Sequence, residues 1–250
     1  MNGIYQQISK NYEILSNTEQ EVVDYLIRCE DLECLKLKQV QEALFVSSST
    51  VMRACKKLNY QSFTELRYDL IHQRKEVKKK EKKGNLQEKK EQLANDILQT
   101  ITLLTEDKVI SFAQSLLEAR RVFCIGQGTS ANVMMEFNRK LKLIDKWTNE
   151  YYEKYSIERV GELATKKDVI LIFSLSGECS EYNEMLLSVK TKGAKVLSIT
   201  GISNNPLSQI SDEHLFVYHS NQMRERLRSR LMLHVAADIV FEEMMSMLSE

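Results

Sequence analysis

An all-helical first part followed by a doubly wound α/β domain, with five parallel strands in a three-layer αβα arrangement, is the fold this sequence predicts. Three observations carry that expectation. Short, nearly continuous apolar runs at Arg121–Gly126, Val169–Ser174, Lys195–Thr200 and Leu215–Tyr218 alternate with segments of helical periodicity, the pattern of strands buried on both faces of a parallel sheet. Gly126, Gly128, Gly177, Gly193 and Gly201 fall near the ends of these runs, whereas the first part is poor in turn residues. Residues 1–90 carry 17 Lys/Arg against 13 Asp/Glu and residues 91–250 carry 18 against 22, so a net charge of zero conceals a basic module joined to a mildly acidic body. The expected division is a helical domain over 1–76, a charged linker and connecting helix over 77–104, and the α/β domain over 105–250.

Taken in order, Thr18 with Glu21 predicts a capping box ahead of a helix whose apolar face is Val22, Val23, Leu26 and Ile27. Leu35–Leu44 reads as a second helix and Phe45-Val46-Ser47 as a tight connection. Ser48 or Ser49 then caps a third helix, Thr50–Leu58, with Val51, Ala54, Cys55 and Leu58 on its apolar face. Asn59 stops that helix, because asparagine tolerates the left-handed conformation a helix end requires. Two short helices joined in this way form a helix-turn-helix, whose second helix enters the major groove of DNA. The groove-facing candidates are Ser47, Ser48, Ser49, Thr50, Met52, Arg53 and Lys57. Arg53 can fork onto guanine or clamp a phosphate, and the hydroxyls can reach either. Eleven basic and four acidic residues between 48 and 83 place the positive charge on this helix and beyond it. A helical hairpin used for packing or dimerisation, with Arg53 and the lysines merely solvated, has the same local pattern.

Gln61–His72 is expected to be helical on Phe63, Leu66 and Leu70, and residues 73–92 to form a solvated linker, part helix and part coil, with Gly84 at its middle. The pattern is helical again from about Leu86 to Leu117, with Leu93, Ile97, Ile101 and Leu104 on one stripe, and Asp107–Glu118 delivers the chain into the first strand. Then follow a helix over Ala131–Ile144, an edge strand at Trp147–Tyr152, a helix over Ile157–Thr165, the Val169 strand and a helix over Glu181–Lys192. After the last two strands, Arg226–Leu248 closes the domain, with Leu227, Leu231, Val235, Ile239 and Met244 at helical spacing. The crossover rule makes the strands parallel.

The chemistry concentrates where two of these strands end. The Val169 strand runs into Ser174, Ser176, Gly177 and Ser180 and then directly into a helix, which brings backbone N–H groups, hydroxyls and the positive end of a helix dipole together. That suits an anion, most of all phosphate; it suits a serine-rich helix cap with no ligand equally well. The first strand ends in Gly126-Gln127-Gly128-Thr129-Ser130 before a helix, and in an open α/β sheet both ends face one crevice. Neither loop matches a dinucleotide fingerprint or GxxxxGK[ST], so a monoester phosphate on a small sugar fits better than a nucleotide. Five scattered cysteines without CxxC indicate no structural metal, and no cofactor is implied. With no apolar run of 18 residues and no signal-like N-terminus, the expected location is the cytoplasm, away from membranes.

Two sets of residues together resemble a known family. One is Val46-Ser47-x-x-Thr50-Val51-x-Arg53-x-Cys55-Lys56-Lys57-Leu58-Asn59-Tyr60 with Phe63-x-Glu65-Leu66. The other is Gly126-x-Gly128-x-Ser130, Ser174-x-Ser176-Gly177, Lys192-Gly193-Ala194, Ile199-Thr200 with Asn205-Pro206-Leu207, and Ser229-Arg230-Leu231. In this order they resemble the RpiR (MurR/RpiR) family of bacterial transcriptional regulators, which joins a helix-turn-helix to a SIS (sugar isomerase) domain. The resemblance implies a DNA-binding regulator of sugar metabolism that senses a phosphorylated sugar. Ser130, Ser174 and Ser176 would hold the phosphate, with Gly128 and Gly177 admitting backbone to it and Gly126, Thr129, Cys179 and Ser180 completing the site. Cys179 stands where the family usually has threonine, Gln41 where it has a small residue, and Asn59 where it has glycine. The implied partners are a double-stranded operator, an inverted repeat read by a homodimer or tetramer formed through the SIS domain, and the sugar phosphate itself. The alternative is a SIS-type phosphosugar isomerase, for which His214, His219, His234 and Glu178 are the available acid–base groups, none of them in a catalytic motif.

Overall fold

The computed structural model describes residues 4–29, 31–81, 86–218 and 228–249. The chain divides into two units, Met1–Asn95 and Asp96–Glu250, each with its own core.

The first unit comprises α1 (Ile4–Asn11), a 3₁₀ turn (Tyr12–Ile14), α2 (Asn17–Arg28), α3 (Leu37–Leu44), α4 (Ser48–Lys57) and α5 (Phe63–Glu81), and α6 (Leu86–Leu103) begins in it. Helix α1, absent from the expected elements, buries Ile4 and Ile8; just after it, Tyr12 is buried and its hydroxyl donates to Asp24 at 3.0 Å. The capping box ahead of α2 lies two residues earlier than expected. Ser16 is extended and its Oγ accepts from Glu19 N, while the Glu19 carboxylate accepts from Ser16 N at 2.8 Å; Thr18 and Glu21 lie within the helix. Likewise α4 is capped by Ser47, not by Ser48 or Ser49, because Ser47 is extended and its Oγ accepts from Thr50 N at 3.2 Å. Asn59 adopts φ 63° as expected. The Tyr60 and Asn59 amides close a Schellman motif on Cys55 O and Lys56 O, both at 2.9 Å. The helix expected to end at His72 runs on to Glu81, since the Lys, Glu, Gln and Arg beyond it are good helix formers; Gly84 lies outside the described residues.

On α6 the expected stripe holds in part: Leu104, one residue past the helix, lies in the core and Ile97 packs against it. Leu93 and Ile101 are exposed, and the buried positions are Asp96, Gln99, Thr100 and Leu103. The Thr100 hydroxyl accepts from the Tyr218 amide at 3.1 Å, so hydrogen bonding to a strand end joins the apolar contacts of Ile97 and Leu104 in orienting this helix.

The second unit continues with α7 (Glu106–Glu118), β1 (Arg121–Gly126), α8 (Ser130–Leu143), β2 (Thr148–Tyr151), α9 (Lys154–Leu163), β3 (Asp168–Ser174), α10 (Asn183–Thr191), β4 (Lys195–Gly201), α11 (Pro206–Ile210), β5 (Glu213–Val217) and α12 (Leu231–Ser249). The five strands are parallel in the order β2-β1-β3-β4-β5. Side-chain alternation sends Val122, Cys124, Leu171 and Phe173 towards α7, α8 and α12, and sends Phe123, Ile125, Ile170 and Ile172 towards α9, α10 and α11. That explains the uninterrupted apolar runs: both faces of the sheet are covered, and each such side chain contributes about 1.5–3 kcal/mol by burial. No described helix is long and apolar enough to cross a membrane. Three boundaries depart from expectation. Between β3 and α10 stand a loop and a 3₁₀ turn (Ser180–Tyr182), so β3 does not run directly into a helix. The short α11, capped by Asn205 with Pro206 at its first turn, escapes apolar periodicity because it is five residues long. The expected start of the last helix at Arg226 lies outside the described residues, and α12 is helical from Leu231.

Candidate functional site

In the strand order, successive connections leave β1 for β2 on one side and return to β3 on the other, which makes the carboxyl ends of β1 and β3 the topological switch point. A cavity of about 230 Å³ opens there. Its construction starts with Gly126. A Cβ at that position would lie 2.9 Å from both Met134 Cβ and Ser130 O, so only glycine lets the first turn of α8 sit this close to the strand end. The result is that Ser130, the first residue of α8, is almost fully buried against the cavity. On the β3 side, Ser174 Oγ accepts from Gly177 N at 3.1 Å and lies 3.5 Å from Ser176 Oγ, which in turn accepts from Glu178 N at 3.3 Å. These bonds wind the loop so that Ser174, Ser176, Glu178 and Ser180 all line the cavity. Gly177 takes φ +70°, and its Cα faces the side chain of Asn205, the α11 cap.

Of the predicted ligand residues, the structure therefore brings Ser130, Ser174, Ser176 and Ser180 together. Gly126, Gly128, Thr129 and Gly177, also predicted, do not line the cavity; Gly128, at φ +53°, and Thr129 are exposed. Cys179 is turned away: its thiol is buried in the core under α9 and α10 and donates to Asn183 Oδ1 at 3.1 Å. Burial pushes that thiol's pKa up. The helix dipole expected after β3 is also displaced, since α10 begins six residues beyond Gly177; the helix terminus at the cavity belongs to α8.

The residue that sequence reasoning did not place in the site is Arg230, one residue before α12. It lines the cavity, and its Nε lies 3.5 Å from Ser130 Oγ. Burial, with a smaller contribution from Arg228, pushes its pKa down, and among the described residues no carboxylate lies within ion-pair distance of it. A half-buried guanidinium among four hydroxyls, with no carboxylate of the described residues paired to it, attracts a phosphate. Ser229-Arg230-Leu231 was the available signal, though nothing local says that it meets Ser130, a hundred positions earlier. On the opposite rim Gln127 Nε2 donates to Glu181 Oε2 at 3.0 Å, and the Tyr182 hydroxyl donates to Glu178 O at 3.0 Å. Of the acid–base groups considered for isomerase chemistry, Glu178 is the only one among the described residues that lines the cavity. His234 pairs with Glu136 on α8 at 3.2 Å, His214 packs on Phe216, and His219 lies outside the described residues. No group of three or more His, Cys, Asp or Glu among the described residues is arranged to hold a metal.

The second candidate surface is α4 in the first unit. Ser48, Ser49 and Arg53 are exposed, as is Lys56, which is not among the expected groove-facing residues. Ser47 is occupied as the cap, with its Oγ 2.7 Å from Ser49 Oγ and 3.0 Å from Thr50 Oγ1, and Thr50 is buried. Lys57 does not project outward freely: Nζ donates to Glu19 Oε2 at 2.6 Å and to Ile14 O at 2.9 Å. Met52 is half-buried.

Comparison with known proteins adds the following. A family model described as a SIS domain matches residues 115–236, and one described as the helix-turn-helix domain of the rpiR family matches residues 2–76. The chain is 27% identical over 240 residues to the uncharacterized HTH-type transcriptional regulator YbbH of Bacillus subtilis, covering 91% of this chain and 85% of that one. It is 24% identical over 220 residues to the HTH-type transcriptional regulator RpiR of Escherichia coli, covering 84% and 74%. Among solved structures, the Vibrio vulnificus NanR protein complexed with ManNAc-6P matches with a TM-score of 0.63 over 99% of this chain and 93% of that one, at 18% identity, which is a likeness of fold.

Proposed function

The chain belongs to the RpiR family of helix-turn-helix regulators with a SIS domain, and from that premise we propose how it reads DNA and senses a phosphorylated sugar. It is a DNA-binding transcriptional regulator of sugar metabolism rather than an enzyme. The observation that carries the sensing site is the convergence of Ser130, Ser174, Ser176 and Arg230 on one cavity at the switch point. Phosphate oxygens accept from the hydroxyls and from Arg230, while Gln127, Glu178 and Glu181 on the rim face the sugar hydroxyls. In the first unit, Ser48, Ser49 and Arg53 of α4 enter the major groove, with Ser47 and Thr50 shaping the helix start.

The regulator acts in the cytoplasm as a homodimer or tetramer through the SIS domain, on an inverted repeat. Exposed apolar side chains on its helices, Leu98 and Ile101 of α6 and Leu143 at the end of α8, support such pairing. Two recognition helices then lie about 34–36 Å apart, one turn of DNA. Effector binding changes operator affinity by no more than the sugar phosphate's differential affinity for the two dimer arrangements.

The test is thermal unfolding of the full chain against a panel of sugar phosphates, each paired with its unphosphorylated sugar. A ligand present at a hundred times its Kd adds about 2.7 kcal/mol of apparent stability. A rise with one phosphosugar and none with its parent sugar is expected; equal rises with both would refute the phosphate site.

A further inference from the structure

Glu19 and the recognition helix carry an inference that rests on the DNA-reading role given to α4 above. Glu19 is a nearly fully buried carboxylate on α2, and three separate groups converge on it. Its carboxylate accepts from the Ser16 amide at 2.8 Å, which fixes it in the capping box. Lys57 Nζ donates to Oε2 at 2.6 Å. Arg53 Nε stands 3.8 Å from Oε1, although two-thirds of the Arg53 side chain is exposed. Arg53 Nη2 also lies 3.4 Å from Thr50 Oγ1, and Thr50 is itself held by the Ser47 cap. One side of the guanidinium is therefore anchored to the protein, while the rest projects from α4.

A phosphate contact asks little of an arginine, because a point-charge attraction tolerates many rotamers. A guanine contact asks for a fork held in one orientation, with two donors aligned on O6 and N7. Anchored orientation by a buried carboxylate is what the second of these needs. The same carboxylate pairs with Lys57, which stays partly exposed but is tied by Nζ to Glu19 and Ile14 O, so Lys57 supports the anchor instead of the DNA.

We propose that Glu19 is a positioning residue that aims Arg53 at a guanine in each operator half-site, and that Lys57 makes no DNA contact. The closing experiment selects duplexes from a randomised library with the full-length wild-type chain and with E19Q, R53K and K57Q, then measures affinity against salt and the melting temperature of each protein. The wild type is expected to enrich a guanine at one position per half-site and to lose roughly 10- to 100-fold in affinity when that pair becomes A·T. E19Q and R53K should each cut this discrimination to less than about threefold at that position and leave the other positions alone. E19Q, which leaves Lys57 unneutralised, should not lose non-specific affinity or salt slope. Combining E19Q with R53K should cost no more discrimination than R53K alone, since one acts through the other. K57Q should keep both the guanine preference and the salt slope.

A folded E19Q that keeps full discrimination overturns the proposal, as does a K57Q whose salt slope falls by about one. Should E19Q fail to fold, R53K and K57Q still decide: a site at which R53K relaxes no base preference overturns it too. A wild-type chain that enriches no sequence at all refutes the DNA-reading role itself, and the proposal with it, a result distinct from any of the variant outcomes.

Discussion

Replacing Gly177 by alanine tests the architecture of the cavity directly. At φ +70° an L-residue costs about 1–2 kcal/mol more than glycine. The added Cβ would lie 2.1 Å from both Cγ and Oδ1 of Asn205, whereas carbon atoms pack at about 3.5–4.0 Å. Asn205 has little room to retreat. Its Oδ1 caps α11 by accepting from Ser208 N at 2.8 Å, and its Nδ2 donates to Thr200 Oγ1 at 3.1 Å and to Ser203 O at 3.0 Å. Displacing it costs the cap, about 1 kcal/mol, and leaves a buried amide poorly paired, about 1–3 kcal/mol. The least costly relief is for the Ser176–Glu178 loop to swing out, which removes Ser176 from the cavity. Sugar-phosphate affinity should then fall by about two orders of magnitude, corresponding to roughly 3 kcal/mol. Isothermal titration with the phosphosugar that stabilises the wild type measures this, and circular dichroism reports whether the sheet is intact. A G177A protein that binds the ligand within about threefold of wild type would refute the packing argument and the loop's place in the site.

Other substitutions separate ligand contacts from scaffold. R230M should abolish most of the phosphosugar-induced thermal shift while leaving the unliganded melting temperature unchanged or raised, because partial burial without a paired carboxylate among the described residues disfavours the guanidinium in the free protein; an unchanged shift would remove Arg230 from the site. Phe45 sits in the α3–α4 turn at φ 52° with 95% of its surface exposed, so F45G should stabilise the chain by about 1 kcal/mol in chemical denaturation, and a loss of stability would show that the side chain has a partner. Asp168 is buried at the start of β3, where burial alone would raise its pKa. The two bonds from Arg120, at 2.9 and 2.8 Å, and those from the Thr165 amide and hydroxyl outweigh burial and hold it below the usual carboxylate range. A depressed folded-state pKa contributes stability that is complete above the unfolded value, near pH 4, and is lost as pH falls through the folded value. D168N should therefore melt lower at pH 7 and show a flatter loss of stability below about pH 4 than the wild type; parallel curves would contradict the assignment.

Local order was largely legible in the sequence. The runs RVFCIG and DVILIFS are strands because both faces of a covered parallel sheet demand apolar side chains, and that demand is written residue by residue. The stop at Asn59 and the small, hydroxyl-rich ends of β1 and β3 were legible for the same reason, since backbone conformation and capping are set by neighbours within a few positions. What folding alone decided is which distant residues meet. Arg230 reaches Ser130 across a hundred positions, Lys57 and Arg53 share Glu19 across a helix–helix packing, and Thr100 ties α6 to the end of β5. Periodicity reports which face of an element is buried but carries no term for the partner across it. A buried charge or hydroxyl finds its counterpart only when the whole unit closes, and both candidate sites of this regulator are made of such pairs.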